Sequence, residues 1–315
     1  MRAFLRIASH CPARKVSPQS IHPRELTSGI STHTMPSIDD IPVTLPEGLS
    51  GDKLREFPPF KNWHATLKRS LALQHTNSTH PFHKDPYSLR SVTVQSFDLF
   101  GRPPHQRLAF LKLTAEVANA SGERLPGSIF LRGPSVAMLV MLLPDDLPAG
   151  KEGDERYAVL TVQARIPAGS LEFVELPAGM VDDGSFSGTA ANEIREELGL
   201  EIPASELRNL SEMAATATID AGSKGNGGRD EGLPAAMYPS AGGCDEFIPI
   251  FMYEKRVPRE TLDEWTGKLT GLRDHGEKIT LKLVKMKDLW KEGGRDAKCL
   301  AALALWEGLR RENKL

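Results

Sequence analysis

The sequence predicts an α/β or α+β protein built on a mixed sheet, and three features predict it. Strand-like and helix-like stretches interleave along the 315 residues without the regular repeat of a doubly wound sheet. Val136 to Leu143 is a continuous apolar run, the pattern of a strand buried on both faces. Glu175 to Leu200 reads ELPAGMVDDGSFSGTAANEIREELGL, a strand, a loop and a helix that aim several carboxylates at one point.

Composition narrows the class. A chain of this length can bury a full core and hold one large or two modest domains. Hydrophobic content of 40% and charged content of 25% are ordinary for a soluble globular protein. A formal net charge of -2 argues against a general nucleic-acid binder. The longest apolar run, 136–143, is too short to span a bilayer, so no membrane role is expected. Cys11, Cys244 and Cys299 are scattered and odd in number, which fits neither a disulfide framework nor zinc spacing. Cys244 reads as a small buried residue rather than a nucleophile.

Taken in order, the first 34 residues are basic, with Arg2, Arg6, Arg14, Lys15 and Arg24, and no acid precedes Glu25. This is the composition of a mitochondrial transit peptide, and Met35 offers a second start for a cytoplasmic form. Residues 35–57, rich in Pro, Asp and Gly, read as an irregular lead-in. Phe60 to Gln74 places Trp63, Leu67, Leu71 and Leu73 at near-helical spacing, which predicts a helix. His75, His80 and His83 follow in a loop without acidic or cysteine partners, so they read as loop residues rather than ligands. Strands are predicted at Ser91–Phe97, Leu108–Val117, Ser128–Leu131, Val136–Leu143, Tyr157–Arg165 and Leu171–Leu176. Beyond the acidic helix, Glu212–Thr218 and Glu246–Val257 read as strands. Ala221–Pro234 reads as a Gly-rich insertion, Pro258–Trp265 as a short helix and Lys278–Val284 as a strand. Asp296–Arg311 is an amphipathic helix with Cys299, Leu300, Leu303, Leu305 and Trp306 facing inward.

In the acidic helix, Gly188 and Thr189 can start the element and Gly199 can stop it. Ala190, Ala191, Ile194 and Leu198 share one face; Glu193, Glu196 and Glu197 share another. Such a triplet is either a solvated acidic face or, after a strand and a Pro-Ala-Gly turn, a cradle for hard divalent cations such as Mg2+.

This stretch resembles the box of the Nudix hydrolases, G-x5-E-x7-R-E-U-x-E-E-x-G-U with U a bulky aliphatic residue. Gly179, Glu193, Ile194, Glu196, Glu197, Gly199 and Leu200 match it. Asn192 stands at the box arginine, the loop is one residue short, and Gly184 and Ser185 stand where the first box glutamate belongs. Phe97-Asp-Leu-Phe-Gly101, Arg132-Gly-Pro134, Gly242-Gly-Cys-Asp-Glu246, Gly271-Leu-Arg-Asp-His-Gly-Glu277 and Leu289-Trp290 extend the likeness to the ADP-sugar diphosphatase branch known from plants.

The resemblance implies an α-β-α sandwich over 133–315, a small β-rich domain over 45–132, a disordered segment over 1–44, and a homodimer. It implies hydrolysis of ADP-ribose or ADP-glucose to AMP and a sugar 1-phosphate with Mg2+, or Mn2+, as cofactor. The ion neutralises phosphates and lowers the pKa of bound water. The implied metal ligands are Glu193, Glu196, Glu197 and the Ala178 carbonyl. Glu277 is the implied base, with Glu196 beside it in catalysis; His275 is a weaker candidate. Arg165 is implied to bind the diphosphate, where a guanidinium can make a bidentate contact. Glu246, with Asp245 as its alternative, is implied to bind the terminal sugar. Glu175 is open between a ligand and the polar end of a strand. The rival readings are another nucleoside diphosphate sugar such as UDP-glucose, or an inactive nucleotide-binding module, which the Asn192 substitution motivates.

The basic, acid-poor start makes a prediction. Deleting residues 1–34 should leave folding and turnover intact and abolish organelle import. A large fall in the thermal midpoint of the truncated protein would show instead that the segment packs on the fold.

Overall fold

The computed structural model describes residues 32–315 except 39, 104, 149, 151–154, 182–184, 221–230 and 272–277. Residues 1–31 of the expected transit segment, most of the Gly-rich insertion, His275 and Glu277 therefore lie outside the described residues. Two sheets belong to one compact unit, Thr32–Leu315.

The first sheet comprises β1 Thr32–Ile38, β2 Ile41–Pro46, β3 Ser88–Phe100, β4 Arg107–Ala118, β5 Arg124–Leu125 and β6 Ser128–Leu131. Its order is β1-β2-β3-β4-β5, with β6 also on β4. In β4, Ala109, Leu111, Leu113, Ala115 and Val117 are buried while Lys112 and Thr114 are exposed, so alternation gives the sheet one apolar face. That face packs on α1 Gly51–Glu56 and α2 Pro58–Thr76 through Leu54 and Phe60, with Trp63, Leu67 and Leu71 partly buried beside them. Ser50 caps α1 by accepting the Lys53 N–H, and α2 opens on two prolines, which lose nothing in a first turn whose N–H groups have no helical partner.

Here the structure differs from the irregular lead-in read for 35–57. β1, β2 and α1 occupy it: β1 and β2 pair antiparallel with each other, and β2 is drawn into the core where Val43 pairs with Val92 far along the chain. No local pattern carries that pairing. β1 begins at Thr32, so a cut after residue 34 removes three residues of an edge strand.

The second sheet comprises β7 Ser135–Pro144, β8 Tyr157–Arg165, β9 Ser170–Glu175, β10 Ala178–Met180, β11 Arg208–Asn209, β12 Ile250–Val257, β13 Leu269–Thr270 and β14 Ile279–Lys285. Its order is β11-β12-β7-β8-β14-β13, with β10 on β7 and β9 on β8. β12 runs parallel to β7 while β8 runs antiparallel to both β7 and β14, so the sheet is mixed as predicted. β7 is buried along its whole length. Val136, Met138, Val140 and Leu142 point to one helical layer, with α3 Phe186–Glu193 and α5 Arg259–Trp265. Leu139 and Met141 point to the other, with α4 Leu210–Asp220, α6 Leu289–Glu292 and α7 Ala297–Arg311. The result is a sheet between two layers of helices.

Three local expectations are corrected. Glu212–Thr218 lies within helix α4, not a strand; its Ala- and Met-containing run suits a helix, and the Asn209 side chain accepts the Glu212 N–H at its start. Glu246–Val257 yields a strand only from Ile250. Leu300, assigned to the inner face of α7, is exposed, whereas Ala302 and Leu309 are buried.

Those placements set different costs. Leu139→Ala should destabilise the protein by about 2–5 kcal/mol through lost burial and the cavity left behind. Leu300→Ala should stay within roughly 0.5 kcal/mol. Urea unfolding of both variants checks the contrast, and equal midpoints would contradict the burial pattern.

Candidate active site

Sheet register brings the site together. Ala178, Gly179 and Met180 pair with Ala137, Val136 and Ser135 at the start of β7. Leu176 to Met180 is therefore not the free turn its Pro-Ala-Gly suggests. Pro177 accepts the Met138 N–H at 3.0 Å, and the Val181 N–H donates to Pro134 at 3.1 Å. Helix α3 starts at Phe186, earlier than Gly188, because Ser185 is its N-cap and accepts the Gly188 N–H at 3.1 Å. One residue standing where the first box glutamate belongs thus caps the helix.

The helix carries its carboxylates back to that strip. After Glu193 it widens into a π-helical turn, Ile194–Leu198, which Gly199 closes with a left-handed φ of 70°. Glu197 is 2% exposed. Its carboxylate accepts the Ala178 N–H at 3.2 Å and lies 3.4 Å from the Gln163 amide nitrogen. Glu193 lies against Gly179, where any Cβ would collide with its carboxylate. Glycine there leaves room for the carboxylate to approach; a larger residue would push the Glu193 side chain aside.

The structure does not gather Glu196 with these two. It is half exposed, 3.7 Å from Arg195. A turn closing from i to i+5 advances each residue less around the axis. Residues four apart stay together while the one between swings away. Among the described residues, no group of three or more His, Cys, Asp or Glu side chains is placed to hold a metal ion. Glu193, Glu197 and the Ala178 carbonyl still offer the hard oxygen donors that Mg2+ takes, and the missing Cβ of Gly179 leaves the carboxylate its place. Asn192 is exposed, so the position of the box arginine faces solvent.

Arg165 and Glu175 meet. The Arg165 Nε donates to Glu175 at 2.6 Å, and the Lys298 ammonium donates to the other carboxylate oxygen at 2.9 Å. Glu175 is buried. Asp296, the N-cap of α7, pairs with Lys298 at 2.9 Å and accepts the Leu176 N–H at 2.9 Å. Burial disfavours the Lys298 ammonium, but Asp296 and Glu175 outweigh it and hold its pKa above the ordinary value.

Glu246 lies at the other edge of the strip. It accepts from Ser135 at 2.7 Å and pairs with Arg132 at 2.9 Å. Asp245 instead accepts the N–H groups of Arg132 and Gly133 at 2.8 and 3.1 Å. Burial pushes its carboxyl above the usual range, against the pull of those N–H groups. Asp245 thus shapes the turn, while Glu246 stays with the side chains. Cys244 is half buried, and burial raises its thiol pKa, which does not favour a nucleophile. The buried Arg132 Nε finds no hydrogen-bond partner among the described residues.

Beside the strip opens a cleft of about 600 Å³, walled by Phe100, Arg107, Arg132, Met180, Phe186 and Phe247. Both sheets contribute to it. Gln163, Lys298, Asp296 and Arg132 are site-side residues that sequence reasoning did not assign. Only Arg132 carried a signal, in Arg132-Gly-Pro134; the others become visible through partners far along the chain.

No family model matches the chain. It is 35% identical over 293 residues to Nudix hydrolase 14, chloroplastic, of Arabidopsis thaliana, covering 91% of this chain and 82% of that protein. A solved structure of an ADP compounds hydrolase aligns with 72% of this chain and 99% of its own at 17% identity and a TM-score of 0.41, too loose a likeness to carry an inference.

Crowding of Glu193, Glu196 and Glu197 by itself would let removal of one charge raise metal-free stability. The buried geometry of Glu197 reverses that sign. Glu197→Gln should cost about 1–3 kcal/mol without metal, because an amide set against two donors leaves one of them unsatisfied. Urea unfolding in a chelator checks this; an unchanged or higher midpoint would contradict the hydrogen bonds described.

Proposed function

The chain belongs to the Nudix hydrolase family, and from that premise we propose that it hydrolyses the diphosphate bond of ADP-sugars, with ADP-ribose and ADP-glucose its leading substrates. The observation that carries this reading is the juxtaposition of Glu193 and Glu197, converging on Ala178–Gly179, with a cleft that combines aromatic walls and arginines. Carboxylates that bind a hard cation suit a diphosphate; Phe faces suit a base, and Arg side chains suit phosphate. The unpartnered Arg132 Nε supports a polar ligand there, since a buried donor left unpaired costs free energy.

In this reading water attacks one phosphorus, the bridging oxygen leaves with the other phosphate, and AMP and a sugar phosphate result. ADP-glucose, linked at its anomeric carbon, gives glucose 1-phosphate; ADP-ribose, linked at the ribose C5 hydroxyl, gives ribose 5-phosphate, which corrects the sugar 1-phosphate expected for both. Glu193, Glu197 and the Ala178 carbonyl would hold Mg2+ or Mn2+, which supplies charge neutralisation and a more acidic water. Arg165, with Glu175 behind it, orients the diphosphate. Glu246 accepts hydroxyls of the sugar, and Glu277 takes the proton from water. Glu196 stands at the rim in a supporting role. The first residues act as an organellar presequence, and the protein is a homodimer. A fluorescent fusion of residues 1–34 distinguishes mitochondrial, plastid and cytoplasmic destinations, and light scattering reads the mass in solution.

A panel of nucleoside diphosphate sugars with Mg2+ or Mn2+, read by phosphatase-coupled phosphate release, tests the reading. ADP-ribose or ADP-glucose should give the highest kcat/KM, and Glu197→Gln should lower kcat by about two orders of magnitude, roughly 3 kcal/mol. A higher kcat/KM for UDP-glucose would overturn the adenine assignment. Binding of ADP-ribose without turnover would favour an inactive module, the reading that exposed Asn192 and the dispersed Glu196 support.

A further inference from the structure

We propose that Lys298, at the start of the last helix, is a positioning residue for the site: by holding Glu175 from the opposite helical layer, it fixes how Arg165 is presented to a bound diphosphate. This rests on the proposed function in one respect, that Arg165 meets a diphosphate.

The geometry is a chain of four charges. Arg165 donates to one oxygen of Glu175 and Lys298 to the other, at 2.6 and 2.9 Å. Lys298 is shared with Asp296 at 2.9 Å. Two carboxylates face two cations, so the formal charges cancel. Glu175 and Asp296 are almost fully buried, whereas the Arg165 side chain is 40% exposed. Arg165 is thus anchored through Nε, which leaves the other nitrogens of its planar fork for an anion. Removing one of its two cations leaves the buried Glu175 carboxylate under-compensated, with Arg165 its remaining partner. Without Lys298, the free oxygen of Glu175 draws the guanidinium inward and the outward fork is lost.

Asp296 extends the same hold to the backbone. One oxygen takes the Lys298 ammonium; the other accepts the Leu176 N–H, two residues before Ala178. The Cys299 thiol also donates to Asp296 at 3.4 Å, which completes the enclosure of that carboxylate. Lys298 and Asp296 come from the layer that packs on Leu139 and Met141, while Glu193 and Glu197 come from the one that packs on Val136 and Met138.

The test is a double-mutant cycle on Lys298→Met and Arg165→Ala. Lys298→Met should raise KM for ADP-ribose by about tenfold, the size of one charge-assisted hydrogen bond, with kcat changed much less. In the Arg165→Ala background the same substitution should have little further effect on KM, and Lys298→Arg should restore most of the wild-type value. A purely structural role predicts instead a loss of active fraction, equal in both backgrounds, and that additivity would overturn the proposal. Should Lys298→Met fail to fold, Lys298→Gln removes the charge while keeping an N–H donor on Glu175. If the wild type cleaves no nucleotide sugar, the functional reading fails separately. Calorimetric binding of inorganic pyrophosphate then runs the same cycle, and absent binding or additive losses would reject the positioning role.

Discussion

The contact on which the site depends is the Glu197 carboxylate buried against the Ala178 N–H. A charged group gives up its hydration there, and only directed donors offset that loss. The Ala178 amide and the Gln163 side chain supply them. The contact ties a helix on one face of the sheet to a short strand that would otherwise be a loop. Everything the site offers is measured from that tie: Glu193 against Gly179, the π-helical turn that follows, and the cleft beyond Met180.

This tie also explains how the chain accommodates its departures from the box. Asn192 cannot bring a guanidinium to the carboxylates, and its exposed position does not ask it to. Gln163, from a neighbouring strand, sits beside Glu197 instead. Ser185 trades a carboxylate for a helix cap. The π-helical turn keeps Glu193 and Glu197 together at the expense of Glu196. These adjustments need a rigid base, and β7 provides it. Its alternate side chains lock two helical layers, while its first residues pair with Ala178 to Met180.

The two sheets divide the labour. The second presents acidic groups on a fixed strip; the first, through Phe100 and Arg107, walls the cleft beside it. Behind the strip, the Glu175, Lys298 and Asp296 cluster holds the backbone from the other layer. Its ammonium stays charged at neutral pH because two carboxylates outweigh its burial. Stability drawn from that raised pKa is fully present below the ordinary lysine value and is lost only as pH rises through the folded one.

What the sequence determined by itself was set by local chemistry. The apolar run of β7, the alternation of β4 and the spacing of α7 follow from periodicities that each segment carries alone. The grouping of Gly179, Glu193 and Glu197 was legible as a motif, because a motif is a spacing. Tertiary structure decided the rest, because the deciding partner lay elsewhere in the chain. β2 joins the first sheet's core because Val43 meets Val92, and Ala178–Met180 is a strand because β7 runs beside it. Glu175 is an ion-pair partner because Lys298, 123 residues away, reaches it. Local pattern fixes which face of an element is apolar; what a buried charge finds at its end depends on how the elements pack.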